Sequence, residues 1–210
     1  MCGRIAQIGS AEDLIELIGV KEGYESISNM PPSYNVAPGN KIIAVLVNHT
    51  GNKSWTILKW GMLPNWIKVK RPVINARGET IAQKPMFRDA FHQRRILIPV
   101  DAYYEWRLIE GGKQPYCIKR KDHAPLLLAG IHNDNECVII TRPPRQEIAF
   151  VHDRMPAIIS YKRAHPYLNN ADIAHQFLMM EDNGLELDIY PVAKGIGNPT
   201  FNNPICLEAI

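Results

Sequence analysis

Residues 95–108 read "RILIPVDAYYEWRL", and their reading sets the class of fold. The stretch holds two runs, "RILIPV" (95–100) and "YYEWRL" (103–108), both short, rich in β-branched or aromatic residues, and divided at Asp101. Runs of this kind predict strands. Working outward, the same signature recurs at "KIIAVLV" (41–47), "SWTILKW" (54–60), "QPYCIKR" (114–120), "PLLLAGI" (125–131) and "CVIIT" (137–141). Helices are sparse. "SAEDLIELIG" (10–19) has a Ser cap, an acidic residue three positions later, apolar Leu14, Ile15, Leu17 and Ile18, and a closing Gly, which predicts a short amphipathic helix. "NADIAHQFLMM" (170–180), capped by Asn170, carries a stripe of Ile173, Phe177, Leu178 and Met180 and predicts a second. Strands that do not alternate with helices point to an α+β fold, a single domain of mostly antiparallel β-sheet with a few peripheral helices.

Composition bounds the function classes. A chain of 210 residues, 46% hydrophobic and 21% charged, is of a size at which one domain buries a large core, so residues 2–210 are expected to form one domain. Its 24 basic and 21 acidic residues leave a formal charge of +3, too small for bulk attraction of a polyanion. Nucleic-acid contact then has to come from a local patch. Cys2, Cys117, Cys137 and Cys206 form no C-x-x-C pair, and a domain of this size needs no disulfide staples. Arg4, Glu12, Asp13 and Glu16 fall where a secretory leader would be apolar, and no apolar run reaches the ~20 residues of a membrane helix. A cytoplasmic, reducing compartment with free thiols, no secretion and no membrane partner is expected. Prolines gather in connections such as "MPPSYNVAPGN" (30–40) and "RPPRQ" (142–146), which stiffens those loops.

Four stretches carry groups able to do chemistry. Cys2 becomes the first residue once Met1 is trimmed, and it then presents an α-amine and a thiol on adjacent carbons. With ordinary pKa values near ~8 and ~8.5, both have a reactive fraction at neutral pH. An aldehyde would condense with the amine, and the thiol would close a five-membered thiazolidine, favoured by proximity; the bland reading is a buried cysteine. "VINARGET" (73–80) gathers an amide, a guanidinium and a carboxylate able to grip a sugar and a phosphate, or else a helix-capping Asn75 and a surface Arg77–Glu79 pair. In "DAYYEWRL" (101–108), period-2 alternation puts Tyr103, Glu105 and Arg107 on one face and Tyr104 and Trp106 on the other. Glu105 then either lines a cavity with a raised pKa or pairs with Arg107 in water. "FVHDRMP" (150–156) sets His152 beside Asp153 and Arg154, a titratable ring with a neighbour able to fix its tautomer. Cys117, His123, His132 and Cys137 match no familiar ligand spacing, so no metal site is expected.

Together these strings resemble the SRAP family of abasic-site-processing proteins: Met-Cys-Gly-Arg at the start, "YNVAPG" (34–39), "WGMLPNW" (60–66), "INAR" followed by Glu79 and Thr80, "YYEW" (103–106) and "HDRMP" (152–156), in order over nearly the whole chain. The resemblance implies that Cys2 forms a thiazolidine cross-link with the ring-opened aldehyde of an abasic site in single-stranded DNA. It implies a sugar-orienting amide at Asn75, an acid/base beside the amine at Glu105, and a second acid/base at His152. Arg77 and Arg154 would contact phosphates, Pro38, Trp66 and Trp106 would supply apolar or stacking surface, and Thr141, Arg4 and Asn35 would complete the DNA site. No cofactor is implied, and a DNA-associated monomer, nuclear in a eukaryote, is expected. "RPPRQ" departs from the family, which continues with small residues after Thr141. Two rivals stand beside this reading: an N-terminal-nucleophile peptidase or self-processing enzyme, and a non-covalent reader of single-stranded or modified-base DNA. Only the covalent shield leaves DNA on the protein after boiling.

Overall fold

Apolar runs such as 95–100 and 126–132 show no polar alternation, so strands made from them need cover on both faces. The structure, a computed structural model, describes residues 2–63, 71–180 and 184–210. The chain runs β1 (Arg4–Gln7), α1 (Ala11–Ile18), α2 (Tyr24–Ile27), β2 (Ser33–Val36), β3 (Lys41–Val47), β4 (Lys53–Trp60), β5 (Asn75–Arg77) and α3 (Arg88–Gln93). It continues through β6 (Arg95–Val100), β7 (Ala102–Ile109), β8 (Gly112–Arg120), β9 (Leu126–His132), β10 (Glu136–Arg142), β11 (Met155–Pro156), α4 (Tyr161–Asn169), α5 (Ala171–Met179) and β12 (Leu187–Pro191).

Among the described residues the strands form two sheets. One has the order β12-β8-β7-β1-β2, and the other runs β11-β10-β4-β3-β6-β9 with β5 added to β10. Because β9 pairs with β10 as well as with β6, the second sheet closes on itself. Pairing is mostly antiparallel, as expected, and β10 lies parallel to β4 and β5. The cover on both faces follows from period 2. Ile42, Ala44, Ile96, Ile98 and Leu128 meet Ile5, Tyr103 and Ile118 between the sheets, whereas Ile43, Val45, Leu97 and Leu127 meet Leu14, Phe91, Leu168 and Leu178 of the helices. The far side of the five-stranded sheet, with Ala6, Tyr104 and Cys117, packs under Val192, Ile196 and Cys206. Cys2 belongs to the layer between the sheets.

The two predicted helices are present. Ser10 and Asp13 form a reciprocal capping box on α1, which ends at Gly19 in the left-handed region with φ 72°; Asn170 accepts from Ile173 N–H to cap α5. The helices α3 and α4 lack such signals. No side chain caps either, and α4 carries Pro166 in its interior, so tertiary contact rather than local preference holds them. Arg95 supplies much of that contact. It is 5% exposed, and its guanidinium donates to the Phe91 and His92 carbonyls at 2.6 and 2.7 Å and to those of Tyr167 and Leu168 at 2.7 and 2.8 Å. One buried cation thus satisfies the last turns of two helices. Replacing Arg95 with Leu leaves those carbonyls without donors and is expected to destabilise the protein by about 3 kcal/mol, read as a shifted denaturant midpoint. An unchanged midpoint would contradict this account of α3 and α4.

Candidate active site

The N-terminal strand is threaded between β2 and β7, with Arg4 opposite Tyr104 and Ile5 opposite Tyr103. Run on, that antiparallel register brings residues 3 and 2 level with Glu105 and Trp106. Cys2 is fully buried, with Sγ 4.0 Å from the Arg4 carbonyl. Asn75 Nδ2 donates to the Cys2 carbonyl at 2.9 Å. Asn75 is therefore not a helix cap: it starts β5, held by the ladder to Ile139, and its Oδ1 is buried without a hydrogen-bond partner.

Glu105 is 1% exposed, which settles its alternatives: it lines the interior, and Arg107 turns instead to the Phe150 ring at 5.4 Å. Burial pushes its carboxyl up to about 7. The Cys2 thiol is pushed well above its ordinary value, first by burial and then by the Glu105 charge. It stays protonated at neutral pH. Tyr103, on the same strand face, is likewise pushed up by burial and by Glu105.

A carboxyl with a raised folded-state pKa binds more protons folded than unfolded between its ordinary value of 4.5 and about 7. Its effect is to lower stability as pH rises through that window. At ~1.4 kcal/mol per pKa unit, ionised Glu105 costs about 3 kcal/mol above the window. Glu105→Gln is therefore expected to be more stable than the wild type at pH 8 and equal to it near pH 4.5, by denaturant titration. Equal stability at pH 8 would contradict the buried, strained carboxylate.

His152 Nδ1 accepts the Arg154 backbone N–H at 3.0 Å and lies 2.8 Å from an Asp153 carboxylate oxygen. The first contact needs a bare Nδ1 and the second an Nδ1 that carries a proton. Burial lowers the His152 pKa, so the neutral ring gains at the expense of the charged one.

Glu105 and His152 line one cleft of about 740 Å³ with Arg4, Arg77, Trp106, Lys113, Asp153, Arg154 and Gly197. Cations outnumber carboxylates along it. Arg77 is exposed, at the end of β5. Arg154 is bound on both guanidinium nitrogens by Glu79 and donates to the Thr141 carbonyl at 2.7 Å. Glu79 therefore pairs with Arg154, and the Arg77–Glu79 pair is not formed. Thr141, 1% exposed, and Asn35, 3% exposed, serve the cleft from behind. Asn35 accepts from Arg4 Nε at 2.9 Å and donates to the carbonyls of Ile196, Asn198 and Phe201, while Arg4 itself donates to the Gly197 carbonyl at 2.9 Å. Pro38 opens a tight turn closed by Asn40 N–H to the Ala37 carbonyl at 3.2 Å, with Gly39 at φ 92°. Trp66 lies outside the described residues. "RPPRQ" is tied down, Arg145 donating to the Leu185 carbonyl at 2.8 Å. Sequence reasoning missed Lys113 and the Glu79–Arg154 pair; the Glu79 partner lies 75 positions away, beyond any local pattern.

A buried cysteine at position 2, a buried carboxylate and a histidine thus lie beside a cationic cleft in a two-sheet α+β fold. The chain belongs to the SRAP family, described as SOS response associated peptidase, whose family model matches residues 1–199. It is 31% identical to the abasic site processing protein YoaM of Bacillus subtilis, covering 100% of this chain and 98% of that one. It is 33% identical to YoqW, also an abasic site processing protein, of Bacillus phage SPbeta, with 100% of both chains covered. A crystal structure of a Bacteroides thetaiotaomicron protein has the same fold, with a TM-score of 0.84 over 100% of both chains at 22% identity. Among the described residues, no helix is long and apolar enough to cross a membrane.

Proposed function

We propose that this protein is a covalent shield of abasic sites in single-stranded DNA, acting through Cys2 once Met1 has been removed. The α-amine of Cys2 attacks the ring-opened C1′ aldehyde and the carbinolamine loses one water to give an imine. Sulfur then adds to the imine carbon while the thiol proton moves to nitrogen. Closing the ring removes the imine, whose electron sink would otherwise invite β-elimination, so the strand stays whole. The observation that carries the reading is Glu105: buried at the cleft, with its carboxyl pushed up to about 7, and close enough to Cys2 for its charge to raise the thiol. A group populated in both forms accepts a proton from the attacking amine and returns it to the leaving hydroxyl. Asn75 orients Cys2 through its carbonyl.

The raised Cys2 pKa favours this order, amine before sulfur. It counts against a cysteine peptidase, which needs a thiolate. The cations place DNA rather than react with it. Arg77, exposed on the cleft, is the phosphate contact expected to matter most: Arg77→Ala should lower the log–log salt slope of single-strand binding by roughly 0.7. Arg154, already neutralised by Glu79, should change the slope less. An unchanged slope in Arg77→Ala would remove the phosphate assignment. The test of the function itself is a boiled denaturing gel of the protein with abasic single-stranded DNA. A retained band supports the shield, and complete release of DNA supports a non-covalent reader.

A further inference from the structure

Beside the cleft, on the strand face that carries Glu105, stands a side chain that the proposed chemistry does not use. Tyr103, Glu105 and Arg107 share a face of β7, and Tyr116 of β8 lies directly opposite Glu105. Phe150 packs against this face just outward of Glu105. Its ring centroid is 5.6 Å from that of Tyr116, with the planes at 86°, and the Arg107 guanidinium carbon is 5.4 Å from its centroid. The ring is held but not covered: it is 48% exposed. Two of its neighbours line the cleft: Glu105, paired with Tyr116 across the strands, and His152, two residues along the chain.

We infer that Phe150, backed by Arg107 and Tyr116, is a stacking platform for the unpaired nucleobase that flanks the abasic residue on the His152 side of the cleft. The inference rests on single-stranded DNA being the ligand of the cleft. An abasic residue leaves its neighbouring bases with one unstacked face, and an aromatic ring fixed beside the reacting groups supplies the missing partner. Every base has a π-face, so such a platform adds affinity without reading sequence. Arg77 and Lys113 along the same cleft provide the charge that a phosphate backbone requires. Trp106 lies on the opposite face of β7 from Arg107, so the two aromatic contacts are separate.

The experiment is fluorescence anisotropy with a single strand carrying a tetrahydrofuran abasic analogue, which has no aldehyde and forms no bond. Two further strands each lack one flanking base, replaced by a second tetrahydrofuran. The wild type is expected to bind one of these about tenfold more weakly than the parent strand. Phe150→Ala should weaken the parent strand by the same factor and lose its response to that base, and Phe150→Trp should restore both. Melting temperatures check that the variants fold. Wild-type binding by Phe150→Ala, or an undiminished response to each missing base, would overturn the platform. A wild type that binds none of the strands overturns the underlying DNA reading as well, so the two failures are distinguishable.

Discussion

Cys2→Ala is expected to abolish the heat-stable adduct that the proposed chemistry forms with abasic single-stranded DNA, the largest effect expected of any single substitution. The substitution keeps the α-amine, and with it the carbonyl that Asn75 Nδ2 holds at 2.9 Å, so the aldehyde is still captured as an imine. The ring-closing sulfur is gone. An imine hydrolyses on boiling, whereas borohydride reduces it to a stable amine, so the variant should show no band on a boiled gel and recover one after reduction. The fold should tolerate the change: Cys2 is a small side chain in the layer between the sheets, and losing one buried sulfur costs about 1 kcal/mol. Undiminished, hydrolysis-resistant adduct in Cys2→Ala would end the thiazolidine account.

Glu105→Gln is the second large effect. The amide keeps the size and polarity of the side chain while losing the proton transfer beside the amine, and single acid/base groups contribute about 10²–10⁴-fold. Single-turnover cross-linking at saturating DNA should slow within that range, even though the variant is the more stable protein above pH 7. Both results together, a more stable variant that reacts more slowly, are the expected mark of a carboxyl that trades stability for function. His152→Ala should slow formation less and impair release of a preformed adduct, followed with a competing abasic strand. With the His152 pKa lowered, its protonated form grows only as pH falls below the usual imidazole range, so wild-type release should quicken on acidification and the variant should not respond. Wild-type rates in both variants at matched occupancy would leave Cys2 acting through intrinsic aminothiol reactivity alone.

The strands were legible because their signal is local. "KIIAVLV" and "RILIPV" coincide with β3 and β6, and both exposed helix caps are written within four residues. The alternation in "YYEW" put Glu105 and Tyr104 on opposite faces, and the structure places Tyr103 and Tyr104 in different layers. What alternation leaves open is which face is covered, and that depends on the second sheet closing over the first. The short strands β1, β2, β5 and β12 have few residues in which to build a pattern and exist through their partners. The same holds for the site. Cys2, Asn75, Glu105 and His152 were named from unusual strings, while the pairs that hold the cleft, Arg4 with Asn35 and Arg154 with Glu79, join distant positions. Reading Arg77 with Glu79 followed chain proximity, and the folded chain prefers the partner across the cleft.

The central claim is tested most directly by mass spectrometry of the N-terminal peptide released from the cross-linked complex after nuclease and protease digestion. The account predicts a peptide that begins at Cys2, with Met1 absent, carries the abasic sugar with the loss of one water, has no titratable thiol at Cys2, and is unchanged by borohydride. A sugar on any other residue, a retained Met1 on the adducted peptide, or a mass gain of two hydrogens on borohydride treatment would contradict it.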